Sequence, residues 1–577
     1  MSFSTLIFIA AFLPLFLFFY FLAPGIRNKN RVLLLFSLLF YSFAGLGCLL
    51  LLLALGILSW YVGGQIEKAM AEEEAVLLPE KDGALPETKK PGKKAMQWLQ
   101  GGIAAFLLVL IFFKYTGLLL GTLQLPVPKL LLPLGISFYI FRLISYLADV
   151  YKKRISAQPL FETLLYTVNF QIIAQGPIVG FPALTEQFRW RQHTMDAFLL
   201  GLSRFLVGLA KKCILADHLG ELCESFLPLG FLTGGEVTVL GAWLGGLCYM
   251  LQLYLDFAAY SDMAIGLGQI CGFTYPENFN YPYMAVSIRD FWRRWHISLS
   301  SFFRDYVYIP LGGNRVSFGR LCLNLLAVWS LTGIWHGASW SFLLWGWYYF
   351  LLILLENLLQ KGPAGLRDLP EKLPKRLRLV LQHGLTLLLV YVGWVLFRFS
   401  DFASLKGAVL LMLGQGNAFG SAQVSLLLKN NLFFLVLSLT AVTPVWKLLS
   451  DTVRNAADRR IQLRLRNKNR VGAASEDDLA DTLSPVEEES FADGKASDTL
   501  AAEYPQAKLS PSPLEEDDNH AVVLDRVKEH VQKQLKTAWL WEIGYYSLRT
   551  LWLLLLLLLS VMAMVGSSYQ PFLYNAF

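Results

Sequence analysis

VLLLFSLLFYSFAGLGCLLLLLALGILSWYVGG, residues 32–64, runs without one charged side chain. A helix needs roughly 20 apolar residues to cross the hydrocarbon core of a bilayer. The run is too long for one crossing and reads as two spans, from Val32 to about Tyr61. Outward from it, residues 5–23, 97–121, 236–255, 340–355 and 545–566 form similar blocks. The weak alternating pattern of membrane β-barrels is absent. That leaves α-helices, whose backbone hydrogen bonds close within the segment. Hydrophobic residues make up 55% of the 577-residue chain and charged residues only 16%, with a mean hydropathy of +0.47. A soluble core could not bury so much apolar surface without exposing large patches. The expectation is an all-α integral membrane protein of about 10 to 13 transmembrane or re-entrant helices.

Lys and Arg in short loops mark the cytoplasmic side. The first connection holds Arg27, Lys29 and Arg31, and the polar stretch 65–96 holds Lys68, Lys81, Lys89, Lys90, Lys93 and Lys94. A further hairpin of spans returns to Lys152, Lys153 and Arg154. All three basic loops share one side if the N-terminus is outside. The first apolar run lacks a basic start and a small-residue cleavage site, so it is expected to remain as the first span. Beyond residue 160, segments 168–182 and 226–235 are short or broken by Gly and Pro, as re-entrant segments are. The net charge of +7 is a topology signal, and no aromatic-interleaved basic patch points to nucleic acid. Six cysteines (Cys48, Cys213, Cys223, Cys248, Cys271 and Cys322) include no Cys-x-x-Cys pair, which argues for neither a disulfide framework nor zinc.

Residues 451–537 break the apolar pattern. A basic half with Arg454, Arg459, Arg460, Arg464, Arg466, Lys468 and Arg470 precedes acidic blocks at 476–478, 487–489 and 515–518. This composition predicts a disordered cytoplasmic insert with at most a loose helix near 520–537. The expected division is a transmembrane core over 1–450, the insert over 451–537, and a last span with a short tail over 538–577.

Between residues 250 and 340, polar groups gather beside apolar runs, where each is costly and functional by default. In LQLYLDFAAYSDMAIGLG, Asp256 and Tyr260 are four apart and share a helix face, with Asp262 close behind. They read either as a substrate contact or as an interhelical ion-pair anchor. In residues 287–303, Ile288, Phe291, Trp292, Trp295, Leu299, Phe302 and Phe303 fall in an arc of about 120° when wound as one helix. That stripe predicts an interfacial amphipathic helix rich in Trp and Arg. Asp290 and Arg294 form an i,i+4 pair on its far side. His296 lies at the edge of the apolar arc beside Arg289, Arg293 and Ser300. The basic wall suits an anionic ligand, such as the phosphates of an acyl carrier; the other reading is a helix lying on headgroups. The loop YIPLGGNR, 308–315, lacks the Lys-Ser/Thr of a phosphate loop.

In TGIWHGASW, His336 interrupts an apolar stretch from Leu321 to Leu355, and Gly333 and Gly337 leave room for a close helix approach. A neutral imidazole in a dry channel can take a proton from an attacking hydroxyl. It can also serve only as an interhelical hydrogen-bonding group. Two histidines without nearby cysteines are short of ligands for a closed metal site, so none is expected.

At these residues the chain resembles the membrane-bound O-acyltransferase family. The blocks are PENFNYPY (276–283), SIRDFWRRWHISLSSFFRDYVYIPLGGNR (287–315) and TGIWHGASWSFLLWG (332–346). The likeness is strongest to its bacterial alginate O-acetylase branch, which is related to the D-alanyl transfer proteins of teichoic acid. Supporting stretches lie at 132–152, 201–217, 254–268 and 393–401. The resemblance implies a ring of helices around a central funnel or tunnel, with His336 and His296 at the catalytic positions. It also implies an acyl thioester donor on the cytoplasmic side, acetyl-CoA or an acyl carrier, and no tightly bound cofactor. An acyl-relay or acetyltransferase partner is expected outside, with membrane lipids around a multi-pass protein of the bacterial cytoplasmic membrane. The expected substrate-binding set is Arg289, Asp290, Arg293, Arg294, Asp256, Tyr260, Asp262, Asn314 and Trp335. The chain departs from the pattern at Arg142, where the resemblance calls for glutamine, and in the 451–537 insert.

The leading expectation is therefore transfer of an acyl group, acetyl foremost, to hydroxyls of a cell-envelope polysaccharide. D-alanyl or other acyl transfer through a carrier protein is the alternative. A transporter of a lipid-linked sugar is a further one, disfavoured by the absence of an inverted pair of broken helices. A scaffold with a decayed site is disfavoured by the presence of both histidines.

Overall fold

The computed structural model describes residues 1–76, 92–128, 131–231, 237–361, 374–415, 418–456, 459, 516–566 and 572. Among these the regular structure is helical, without a strand. Two compact units emerge, Met1–Pro444 with Leu555–Phe577, and Val445–Leu554. In chain order the helices are α1 (Leu13–Leu22), α2 (Gly25–Ser42), α3 (Leu46–Val76), α4 (Lys93–Thr122), α5 (Ile136–Tyr151) and α6 (Leu160–Val168). Next come α7 (Thr185–Arg189), α8 (Met195–Ala210), α9 (Asp217–Phe226), α10 (Val239–Ile270), α11 (Ile288–Arg294) and α12 (Ile297–Phe303). The series ends with α13 (Phe318–His336), α14 (Trp340–Lys361), α15 (Lys375–Arg398), α16 (Phe402–Met412), α17 (Ala422–Ala441) and α18 (Glu516–Gly566). The second unit holds the helical residues 445–456 and the larger part of α18.

Among the described residues, seven helices are long and apolar enough to cross a membrane: Leu46–Glu74, Lys93–Thr122, Phe318–His336, Trp340–Leu359, Lys375–Arg398, Ala422–Ala441 and Ile543–Gly566. Their outer faces carry the exposed Leu, Phe and Trp that a soluble protein would bury, such as Phe112, Leu351 and Leu555. The chain is a multi-pass membrane protein. α10 is buried along almost its whole length and packs against α8 and α9. It therefore carries polar groups at depth, because protein satisfies them.

One end of the first unit gathers the charges of the early loops. Lys153 pairs with Glu74 at 2.9 Å and Arg154 with Asp149 at 3.0 Å. Tyr306 donates to Asp149 at 2.8 Å, and Lys152 to the Asp305 carbonyl at 3.1 Å. At the start of α4, Lys94 pairs with Glu72 of α3 at 3.9 Å, so the ends of α3 and α5, the start of α4 and the segment before α13 meet at one level. At 1.5 Å per helical residue, Lys114 on α4 and the other ends of α5 and α13 lie about 25–30 Å away.

One segment differs from the sequence reading. Residues 287–303 form two helices, because the chain turns at Trp295–His296 and His296 takes a left-handed φ of 43°. The 276–283 segment crosses this joint and takes its backbone groups. The Asn280 amide donates to the Arg294 carbonyl, and the Ile297 amide to the Asn278 carbonyl, both at 2.9 Å. Winding at a single 100° step therefore misplaces everything after Arg294. Within 168–182, the first segment read as re-entrant, residues 169–180 are irregular and almost wholly buried. Such backbone is tolerated at depth only where protein satisfies it. Asn169 donates to Tyr275 at 3.0 Å and Tyr275 to Gln171 at 2.6 Å. Within the second suspected segment, 226–235, residues 232–235 fall outside the described residues, as does most of the 451–537 insert.

Candidate active site

α13 is apolar from Leu321 and stops at His336, where Gly337 turns extended. The last carbonyls of a helix have no partner within it. Here α4 supplies partners from outside. Tyr115 donates to the Ile334 carbonyl at 2.8 Å, and the Lys114 ammonium donates to the Trp335 carbonyl. On the following side, Ser339 and Ser341 donate to the Ser400 carbonyl at 2.6 and 3.1 Å. The turn that presents His336 is thus tied to two neighbouring segments.

His336 is buried among rings. Its centroid lies 4.7 Å from that of Trp335, 4.9 Å from Trp345 and 5.1 Å from Phe397. The close packing of α13 on α14 depends on Gly333, where a Cβ would stand 2.4 Å from the Phe342 carbonyl oxygen. The small-residue spacing seen in the sequence is used as anticipated, and the partner is the next helix in the chain.

His296, at the α11–α12 joint, is 1% exposed. Its ring lies 5.9 Å from Trp335 and 4.7 Å from Phe257. Trp335 therefore touches both imidazoles. Asn278 fixes the His296 ring: its Oδ1 lies 3.0 Å from Nδ1. The same oxygen accepts from the Ser298 amide at 3.3 Å and the Ser298 hydroxyl at 2.9 Å, while Nδ2 donates to Ser261 at 3.1 Å. A backbone N–H can only donate, so the amide oxygen must face this cluster. Nδ1 then carries the proton and Nε2 is the basic nitrogen.

A cleft of about 130 Å³ reaches His336, lined also by Lys114, Gly135, Ser137, Phe138 and Trp335. One water needs roughly 10–15 Å³ of such space, so the cleft admits a larger group. One wall of it requires glycine: Gly135 has φ of +72°, and a Cβ there would stand 2.2 Å from the Ile173 carbonyl oxygen. The cleft lies at the ends of α4, α5 and α13 that are remote from the basic loops.

The other expected residues are dispersed. Asp256 pairs at 2.7 Å with Lys212, which also holds Asp217 at 2.7 Å. Asp262 pairs with Lys211 at 2.8 Å and Arg204 at 2.9 Å. These are the contacts of an interhelical anchor, the second of the two readings of that segment. Tyr260 stacks on Phe3 at 4.8 Å and meets Phe572 edge-on at 5.1 Å. Asp290 and Arg294 form the expected i,i+4 pair at 3.0 Å. The Arg289 amide donates to Glu356 at 3.2 Å and its guanidinium donates to Asn357, whereas Arg293 is exposed. The anticipated wall of arginines beside His296 is therefore replaced by aromatic rings. Asn314 stands exposed on the loop before α13, at the far end of that helix from His336. Arg142 is buried and donates to the Tyr166 and Thr167 carbonyls at 2.9 and 3.1 Å.

Sequence reasoning missed Asn278, Ser298 and Lys114. Lys114 was findable as the one charged residue in the apolar run 97–121. Asn278 and Ser298 carry no such signal, because uncharged polar residues are common in loops. Among the described residues, no group of three or more His, Cys, Asp or Glu is arranged to hold a metal ion.

The family model of the membrane-bound O-acyltransferases matches residues 96–363. A protein named probable alginate O-acetylase in Pseudomonas aeruginosa is 34% identical over 588 aligned positions, covering 100% of each chain. Its namesake in Azotobacter vinelandii is 38% identical over 409 positions, 69% of this chain and 75% of that one. A peptidoglycan O-acetyltransferase of Helicobacter pylori is 32% identical over 449 positions, 70% of this chain and 79% of that one.

Proposed function

Because the chain belongs to the membrane-bound O-acyltransferase family, we propose that this O-acyltransferase carries an acetyl group from a cytoplasmic thioester toward hydroxyls of an envelope polysaccharide, with His336 at the reacting centre. One observation carries the reading. His336 is an ionisable side chain buried among rings and lining a cleft, held by a turn tied to its neighbours. The relatives named for O-acetylation of alginate and of peptidoglycan support an acetyl group and a glycan acceptor.

In this reading the acceptor hydroxyl reaches His336 through the cleft at the end remote from the basic loops, the outer side by the positive-inside rule. The imidazole takes the hydroxyl proton as the oxygen attacks the thioester carbonyl carbon. A C–O bond forms, the C–S bond breaks, and the proton passes to the departing thiolate. His296, with Nδ1–H on Asn278, presents Nε2 as a second basic nitrogen beside Trp335. The donor, acetyl-CoA or an acyl carrier, approaches from the side of the basic loops, with the exposed Arg293 as its contact in this reading. No tightly bound cofactor is required. An acyl-relay protein outside the membrane would pass the group onward, and the setting is the bacterial cytoplasmic membrane.

The test is mass analysis of envelope polysaccharides from cells with the wild-type gene, without it, and with His336→Ala. Loss of acetyl ester in both altered strains is the expected result. Loss of a D-alanyl ester would replace the acyl group in this reading. Unchanged esters with accumulation of a lipid-linked sugar would overturn it in favour of transport.

A further inference from the structure

α4 is apolar except for one cation in its membrane-crossing stretch, Lys114. A lysine at that depth is costly and needs a purpose. The structure gives it two. Its ammonium donates to the Trp335 carbonyl, and it lines the same cleft as His336. It also sits 5.8 Å over the Trp335 ring, the ring that touches both imidazoles. The next residue, Tyr115, donates to the Ile334 carbonyl at 2.8 Å. Two consecutive side chains of α4 therefore hold two consecutive carbonyls at the end of α13, immediately before His336.

From this geometry we infer that Lys114 is a positioning residue for acyl transfer, clamping the α13 terminus so that His336 is held at the reacting centre. The inference rests on the reading of His336 given above. A cation suits the task for two reasons. The carbonyl end of a helix carries partial negative charge, so an ammonium binds it better than a neutral donor does. Hydrogen bonds to a charged donor are also about twice as strong as neutral ones. Tyr115 provides the weaker second point. The turn beyond His336 is held separately by Ser339 and Ser341 on Ser400. Loss of the Lys114 contact would free one side of the imidazole's support and leave the other in place. The effect should then appear as misplacement rather than unfolding.

Misplacing a reacting group by about 1 Å costs on the order of 10²-fold in rate. Purified Lys114→Met is therefore expected to lose about that factor in kcat, with KM for donor and acceptor and the melting temperature near wild type. Lys114→Arg, which keeps a charged donor, should recover most of the rate, and Tyr115→Phe should lose only a few-fold. Should Lys114→Met not fold, Lys114→Gln takes its place in the same comparison. His336→Ala is assayed alongside. If it keeps activity, the reading of His336 falls and takes this inference with it. If it is inactive while Lys114→Met keeps wild-type kcat, the clamp alone is overturned. A raised acceptor KM at unchanged kcat would instead make Lys114 a contact for acceptor charge. A loss that tracks melting temperature in every variant, Lys114→Arg included, would reduce it to a helix cap; either result overturns the proposal.

Discussion

His336 and His296 share a neighbour, Trp335. For His336 the question is proton transfer, and general-base catalysis contributes about 10²–10⁴-fold. His336→Ala and His336→Gln should both lose at least ~10²-fold in ester transfer at unchanged melting temperature. Activity in His336→Gln above about a tenth of wild type, where loss of a base predicts far less, would sink the assignment. For His296 the question is orientation. Asn278→Leu removes the acceptor of its Nδ1–H and of two Ser298 donors, and each buried donor left unsatisfied costs ~1–3 kcal/mol. We expect a lower melting temperature together with reduced transfer, and Asn278→Asp, which keeps an acceptor oxygen, should do better. Intact transfer in Asn278→Leu would remove this network from the mechanism. His336 was legible as an ionisable group in apolar sequence, and His296 as one at the edge of an amphipathic arc. Asn278 was not, because its role depends on one segment crossing another.

At the scale of elements, the α11–α12 joint decides what the arginines can do. The turn at His296 directs its imidazole inward and leaves Arg293 exposed. Arg293→Glu should raise the apparent KM for an anionic acyl donor several-fold with little change for the acceptor. Unchanged donor KM would make Arg293 a headgroup contact. The α13–α14 contact sets a second expectation. A methyl at Gly333 would meet the Phe342 carbonyl oxygen, and overpacking of this kind costs ~1–3 kcal/mol. Gly333→Ala should therefore lower thermal stability in detergent and displace His336; a melting temperature equal to wild type would show that α14 yields freely. The Gly333–Gly337 spacing was readable as a close-approach site. Which helix makes the approach was not, since a spacing names no partner.

At the scale of the molecule, the charged ends divide the first unit into a basic-loop side and a cleft side. The division of the chain into a core over 1–450 and a dispensable insert over 451–537 is a proposal of the same scale. Replacing residues 460–515 with a Gly/Ser linker long enough to join the flanking segments should leave ester content within about twofold of wild type. Complete loss, with the protein still in the membrane, would assign that stretch a regulatory or partner-binding task.

By itself the sequence determined that the chain is helical and embedded, because hydrocarbon forces backbone hydrogen bonds to close within each apolar run. It also marked His336, because an ionisable group at membrane depth is costly and stands out against its neighbours, and His296, by its place at the edge of an amphipathic arc. Only the tertiary structure decided that Asp256 and Asp262 are anchored by Lys212, Lys211 and Arg204. It alone decided that the 287–303 helix breaks at His296, and that Lys114 belongs with His336. Each of these rests on a partner far away in the chain. Local spacing fixes which side chains share one helix face, whereas the partner on another helix is set by packing, which no single segment encodes.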